Sequence, residues 1–264
     1  MMLLSLLAYL ALGAVAGTMA GLYGVGGGLI IVPSLVSVFS LLNVSPDVSM
    51  HLAVGTSLAT ISVTGASSAL GHLRRGSVRR DWLQALLPGL VVGAVAGVFV
   101  AGSLSGGKLG TLFGIFLLLV AARLVFGRSP PAGSTSPGKG RMVAAGGVIG
   151  GISALFGIGG GTLSVPWLIR CGATMTQAVG TSSACGLPIA LVGAATFMIT
   201  GWGDARLPEG ALGYVMVPAF IGIVVTSVPC ARLGVRLAHY LPARVLKLSF
   251  AALLVIVGLG FLLP

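Results

Sequence analysis

The sequence predicts an all-α polytopic membrane protein made of two related halves. Of its 264 residues, 56% are hydrophobic and only 7% are charged, and the mean hydropathy is +1.10. A water-soluble domain carries far more charge on its surface. The 43 glycines fit the membrane class, because glycine lets membrane helices pack closely. The third observation is an internal repeat, which divides the chain into two comparable parts.

Two glycine-rich stretches carry the repeat: LYGVGGGLIIVPSL at Leu22–Leu35 and LFGIGGGTLSVPWL at Leu155–Leu168. Eight of their fourteen residues are identical at a constant offset of 133 positions. A second shared block, AVGTS, follows at Ala53–Ser57 and at Ala178–Ser182, and the spacer before it is eight residues longer in the first half. The duplicated positions are glycine, small hydroxyl and proline residues rather than bulky apolar ones.

Each half contains five apolar segments, and a run of about 20 such residues crosses a bilayer. We therefore expect roughly eight to ten membrane segments. Segments B and B' are short, so the A/B and A'/B' pairs are predicted to be broken or re-entrant around their GxGGG sequences. The segments are A (Met1–Tyr23), B (Gly28–Leu42), C (Met50–Leu73), D (Trp82–Ser103), E (Leu109–Gly127), A' (Met142–Gly157), B' (Gly161–Arg170), C' (Met175–Thr200), D' (Gly210–Pro229) and E' (Ala243–Leu263).

The positions of the basic residues predict that the two halves are inverted repeats. The first repeat spans residues 1–127 and the second 142–264, and a Pro-, Gly- and Ser-rich linker occupies residues 128–141. Lysine and arginine favour the cytoplasmic side. They collect between C and D in the first half but between D' and E' in the second, so equivalent loops face opposite sides. These basic residues are Arg74, Arg75, Arg79 and Arg80 in the first half, and Arg232, Arg236, Arg244 and Lys247 in the second.

Counting membrane crossings favours a hairpin for segments A and B in each half. With such hairpins, the linker 128–141 and both basic loops are cytoplasmic, and both termini lie outside. One continuous A–B span would instead place the basic D'–E' loop outside. We expect a multi-pass protein of the plasma (inner) membrane, whose net charge of +11 reflects topology rather than nucleic-acid binding.

Inverted repeats with interrupted segments are typical of secondary transporters, whose substrate site lies near the midplane of the membrane. The glycine triplets would leave free amide groups at the starts of B and B', where the helix dipole favours an anion. The AVGTS hydroxyls would add donors. Two alternatives stay open: these hydroxyls bond to their own helix, and the glycines only allow close helix packing. The candidate substrate-binding residues are Gly26, Gly27, Gly28, His51, Thr56, Ser57, Gly159, Gly160, Gly161, Gln177, Thr181, Ser182 and Ser183.

The chain has only four acidic residues, and all of them fall at segment ends or in loops. No carboxylate is therefore expected for a buried proton relay or a sodium site. Any proton coupling would have to use His51, His72 or the substrate itself. We expect no enzymatic activity, no catalytic residue, no metal and no organic cofactor. The acids are Asp47, Asp81, Asp204 and Glu209.

At these motifs the chain resembles the sulfite exporter TauE/SafE family. The resemblance rests on G-x-G-G-G followed by proline, at Gly24–Pro33 and Gly157–Pro166, and on A-V-G-T-S beginning at Ala53 and Ala178. It covers essentially the whole chain. It implies transport, in the outward direction, of small sulfur-containing anions such as sulfite or an organosulfonate like sulfoacetate. We expect alternating access around the midplane site.

Several alternatives remain open at this point. An anion channel would use the same site, and a membrane scaffold would transport nothing. A homodimer is also kept open as an assembly, with the lipid bilayer and the sulfur-containing anion as the expected partners. The second half departs from the first in its shorter B'–C' connection, which would make the two halves of the site unequal.

Overall fold

The computed structural model describes residues 2–23, 27–126, 138–238 and 242–263, and these residues are almost entirely helical. The described helices follow the predicted segments, and one short hairpin of strands precedes the ninth helix. The elements are α1 (Met2–Tyr23), α2 (Gly28–Leu41), α3 (Pro46–Arg74), α4 (Arg80–Gly102), α5 (Gly106–Phe126), α6 (Lys139–Phe156), α7 (Gly161–Arg170), α8 (Met175–Thr200), β1 (Ala211–Leu212), β2 (Val215–Met216), α9 (Val217–Ala238) and α10 (Ala243–Leu262).

Five of the described helices are long and apolar enough to cross a membrane: α3, α4, α5, α8 and α10. This confirms the predicted all-α polytopic class. Helices α2 and α7 have 14 and 10 residues. At about 1.5 Å per residue, neither covers the roughly 30 Å of hydrocarbon. Both are therefore partial segments inside a bundle of longer helices.

The start of segment D' was predicted wrongly. We expected a helix from Gly210, but α9 begins at Val217 and the preceding residues form an antiparallel hairpin, in which Ala211 pairs with Met216. The cause is local, because Gly210 and Gly213 have φ angles of +84° and +55°, in the left-handed region that glycine adopts at little cost. The apolar residues between Gly210 and Val217 therefore form a hairpin turn instead of the first turns of a helix.

The most extensive helix contacts join the first helix of each half to the fourth helix of the other half. Helix α4 packs along α6 through glycines about two turns apart: Gly89 lies against Val143, and Gly97 lies against Gly151. Helix α1 packs along α9 in the same way, with Gly13 against Ile223. Small residues at such interfaces let the backbones approach closely. In both pairs the two helices run parallel.

At the centre of the molecule, α3 and α8 run antiparallel to each other. The side chain of Leu58 reaches Gly193, and further along α3 the hydroxyl of Ser68 donates to the Ser183 hydroxyl at 3.2 Å. Helices α5 and α10 form a second antiparallel pair. Each of these pairs joins equivalent segments of the two halves. Because the pair is antiparallel, the AVGTS block of α3 lies opposite the part of α8 near Phe197, and the block of α8 lies opposite the part of α3 near Ser68.

Candidate functional site

The two glycine motifs meet in the interior. Gly27 is the N-cap of α2 and Gly28 its first residue, and Gly28 lies directly against the backbone of Gly157 and Ile158. A Cβ atom at Gly28 would overlap both of these backbone segments. The third predicted glycine of this motif, Gly26, lies outside the described residues. The start of α2 and the loop before α7 are thus packed against one another.

The second glycine motif forms a tight loop that leads into α7. Gly157, Gly159 and Gly160 have φ angles of +69°, +62° and +83°, which residues with a side chain rarely adopt. Gly160 is the N-cap of α7, and its carbonyl accepts hydrogen bonds from the N–H groups of residues 163 and 164. Gly161 begins the helix, so its amide has no partner within it. This helix start carries the positive end of the α7 dipole.

Two hydroxyl groups at this helix start lack a hydrogen-bond partner among the described residues, those of Ser153 and Thr162. Ser153 is 0% exposed, and its Oγ is 3.6 Å from the place where a Cβ on Gly160 would lie. An unsatisfied buried hydroxyl costs about 1–3 kcal/mol. A ligand oxygen bound here would remove that cost.

Sequence reasoning missed Ser153 and Thr162. The signal was present, because at the offset of 133 residues the first half has Ala20 and Leu29 in their places. At these two positions the first half has an apolar residue and the second half has a polar one. Such a break in otherwise similar stretches marks side chains that only one half supplies.

Ser57 and Ser182 lie on the helix faces that meet the glycine motifs. Ser57 Oγ donates to the carbonyl of Gly157 at 2.9 Å. Ser182 Oγ is 2.7 Å from Ser164 Oγ, which in turn donates to the Gly160 carbonyl at 2.8 Å. Both predicted serines are buried beside the second glycine motif. Their hydroxyls hold the second glycine loop in place.

Thr56 and Thr181 face a different part of the molecule. Thr56 Oγ1 donates to the carbonyl of Leu52 at 2.6 Å and accepts from the amide of Met216 at 2.9 Å. Thr181 Oγ1 accepts from the amide of Arg79, also at 2.9 Å. Met216 and Arg79 directly precede α9 and α4. The two threonines therefore fasten the starts of these helices instead of facing the glycine motifs.

The glycines of the AVGTS blocks make the corresponding close approaches. Gly55 lies against the carbonyl of Tyr214, and Gly180 lies against the carbonyl of Ser77. From Ser77 to Tyr214 the offset is 137 residues, the same as from Arg79 to Met216. Each AVGTS block thus holds the same two backbone positions of the opposite half.

His51 lies away from the glycine motifs, at the end of α4. Its Nε2 is 2.9 Å from the carbonyl oxygen of Ala101, and its ring lies 5.3 Å from the ring of Tyr214. The side chain is 5% exposed. The structure therefore places this predicted residue in a packed contact beside the β1–β2 hairpin.

Gln177 and Ser183 are also separate from the meeting point. Gln177 forms a capping box with Thr174 at the start of α8, in which each side chain bonds to the backbone amide of the other, at 3.3 Å. Ser183 bonds to Ser68 on the partly exposed side of α8. Both residues have roles in holding helices.

The acidic residues all lie away from the meeting point, at helix starts or in loops. Asp204 forms an ion pair with Arg206 at 2.8 Å and accepts a hydrogen bond from the Tyr214 hydroxyl at 3.0 Å. The Arg206 guanidinium holds the pKa of the Asp204 carboxyl well below its usual range. No acidic side chain is therefore placed to repel an anion from the start of α7.

Comparison with known proteins identifies the family. The chain matches the family model described as Sulfite exporter TauE/SafE over residues 9–261. A protein of Haemophilus influenzae named "Probable membrane transporter protein" is 35% identical over 256 residues, which is 96% of this chain and 97% of that protein. A protein of the same name from Methanocaldococcus jannaschii is 26% identical over 257 residues, covering 95% of this chain and 93% of the relative. A Bacillus subtilis protein of that name, YdhB, is 27% identical over 259 residues.

Proposed function

Because this chain belongs to the sulfite exporter TauE/SafE family of membrane proteins, we propose that it is a secondary transporter that exports small sulfur-containing anions. Its relatives are named as membrane transporters, and its long apolar helices place it in a lipid bilayer. The substrate class is sulfite or an organosulfonate such as sulfoacetate. The observation that carries the proposal is the start of α7, which has a free amide at Gly161, an unpartnered hydroxyl at Thr162 and the unpartnered Ser153 hydroxyl beside Gly160.

The chemistry of this helix start suits an oxyanion. A sulfite or sulfonate group presents three oxygen atoms, and each of them accepts hydrogen bonds. The amide of Gly161 and the hydroxyls of Ser153 and Thr162 are donors without a described partner. The helix dipole favours negative charge at the same place. Binding would thus need no cationic side chain, and the anion could leave again easily.

The packing of the helices supports inverted repeats. A two-fold axis that relates two antiparallel helices lies perpendicular to them, so an axis relating α3 to α8 lies in the plane of the membrane. Helices α1 and α2 form a hairpin, with the rings of Tyr9 and Phe39 at 6.5 Å, as the predicted topology requires. We propose on this basis that residues 1–127 and 142–264 are the two repeats, that the linker is cytoplasmic, and that both termini lie outside the plasma membrane.

Alternating access would then move one bundle against the other around the glycine motifs. The contacts of Thr56 with Met216 and of Thr181 with Arg79 lie on two different loops that cap the core. We infer that such capping contacts open and close in turn. The close fit of Gly28 against Gly157 provides the pivot.

Exchange measurements in proteoliposomes test the proposal. We expect wild-type protein to catalyse saturable exchange of labelled sulfite, driven by unlabelled sulfite or sulfoacetate on the other side. In a Ser153→Ala/Thr162→Val variant the half-saturating concentration should rise at least about tenfold, because two hydrogen bonds to a charged group are lost. The matched control is Thr196→Val, since Thr196 bonds to the carbonyl of Val192 in its own helix.

Three outcomes would contradict the proposal. Unchanged exchange in the double variant would show that the start of α7 does not bind the transported anion. A steady anion current without exchange would identify a channel. Folded wild-type protein that moves none of these anions would exclude the substrate class.

A further inference from the structure

Two crevices lie between the short helices and their neighbours, one in each half. One, of about 450 Å³, lies between α6 and α7, and the other, of about 490 Å³, lies between α1, α2 and α10. They are equivalent places in the repeat, because lining residues correspond at the offset of 133. The corresponding pairs are Val15 and Val148, Met19 and Ile152, Ile30 and Leu163, and Ser34 and Trp167.

The two crevices differ in their walls and in charge. Residues of α10 form a third wall of the α1–α2 crevice, and its described lining contains no ionisable side chain. The α6–α7 crevice is lined by those two helices alone, and Arg141 lies at one of its ends. Val148, on its apolar wall, is 62% exposed. In a bilayer this second crevice is therefore open to lipid along its length.

A cluster of positive charge lies at the Arg141 end of the α6–α7 crevice. Arg141 and Trp167 both line this crevice, and Arg170 lies one turn after Trp167, at the end of α7. Lys139, two residues before Arg141, begins α6. The two ion pairs among the described residues use other arginines, so this cluster has no acidic partner there.

Trp167 adds an indole ring to the same crevice, one turn before Arg170. In the bilayer, tryptophan is enriched at the depth of the headgroups and ester groups. The ring therefore marks the level at which the ester groups of a bound lipid would lie.

We propose that the α6–α7 crevice is a binding site for an anionic phospholipid. Arg141 and Arg170 bind the phosphate, the ring of Trp167 packs against the ester groups, and the acyl chain lies along the apolar wall that contains Val148. This site goes beyond transport of the anion, because it opens on the outer surface of the helices rather than on the meeting point of the glycine motifs. The charge difference between the two crevices makes the second one selective for lipid charge.

Lipid titration of the purified protein tests this inference, with bound lipid counted by native mass spectrometry. We expect phosphatidylglycerol to bind more tightly than phosphatidylcholine with the same acyl chains. Replacing Arg141 or Arg170 by glutamine should weaken phosphatidylglycerol binding about fivefold for each arginine, as expected for basic residues near an anionic lipid surface. The matched control replaces Arg74 and Arg75, an exposed pair at the end of α3.

A second pair of variants tests the place of the acyl chain. Val148→Trp should fill the α6–α7 crevice and abolish the preference for phosphatidylglycerol. Val15→Trp, at the equivalent and similarly exposed position of the other crevice, should leave it unchanged. Equal binding of the two lipids, equal losses in both arginine pairs, or equal effects of the two tryptophans would each overturn the inference. Competition by soluble glycerol 1-phosphate as strong as that by the whole lipid would overturn it too.

Discussion

The two glycine motifs begin helices of different character, although their sequences are nearly alike. Helix α2 continues with Leu29 and Ile31, whereas α7 has Thr162 and Ser164 at the corresponding places. Both starts provide backbone amides. Only the second provides hydroxyl groups, so the anion site of an apparently symmetrical protein is expected to lie mainly in the second half.

The two loops that contact the AVGTS blocks differ in structure but make the same kind of hydrogen bond. A tight turn precedes α4, and a two-stranded hairpin precedes α9. Both present a backbone amide to a threonine, Arg79 to Thr181 and Met216 to Thr56. The contact is therefore kept even where the local fold of the two halves differs.

The largest effect is expected where the two motifs touch. Gly28→Val should prevent folding or cost about 3 kcal/mol, the upper end of overpacking effects, because the added atoms overlap backbone that cannot move aside. The measurement is thermal unfolding of the purified protein in detergent. Gly71→Ala is the control, since a Cβ at Gly71 meets nothing within 4 Å and alanine favours a helix. A stable Gly28→Val protein would show that the motifs are not in contact.

The threonine contacts should differ in strength. Thr56→Val leaves the buried amide of Met216 without a partner, which should cost about 1–3 kcal/mol. Thr181→Val should cost less, because Arg79 lies in a partly exposed loop where water replaces the hydroxyl. Parallel unfolding curves of the two variants make the comparison. Equal losses would mean that water does not reach the turn before α4.

The two serines should differ in the same manner on a smaller scale. Ser57→Ala removes the described side-chain donor to the Gly157 carbonyl and should cost about 1 kcal/mol. Ser182→Ala should cost less, since Ser164 keeps its bond to the Gly160 carbonyl. Unfolding of both variants under identical conditions measures the difference. A larger loss of stability in Ser182→Ala would show that the Ser182 hydroxyl, and not that of Ser57, is the more important of the two.

The smallest expected effect concerns pH and the hairpin loop before α9. The pKa of Asp204 is lowered in the folded protein by Arg206, so the ion pair stabilises the protein above the ordinary pKa of aspartate, about 3.9. That contribution is lost as the pH falls below this value. Stability should therefore decline less between pH 7 and pH 3 in Asp204→Asn than in the wild type. Parallel declines would show that the pair is too exposed to contribute, as many surface pairs are.

Helix positions were predicted well because they depend on local composition. The bounds of α7 and α8 agree with the predicted segments B' and C', since glycines and short polar stretches end the apolar runs there. The hairpin of β1 and β2 was missed because its residues are apolar and only two left-handed glycines turn the chain. A hydropathy pattern cannot distinguish such a turn from the start of a helix.

The sequence by itself determined the membrane class, the duplication and the candidate glycines, because composition and repeat spacing are properties of the chain alone. Only the tertiary structure decided what each hydroxyl does. Neighbouring positions such as Thr56 and Ser57 project from different sides of one helix, about 100° apart, and so meet different partners. Whether Ser153 has a partner depends in turn on the loop around Gly160, which lies beyond its own helix. Helix periodicity assigns the faces, but packing assigns their neighbours.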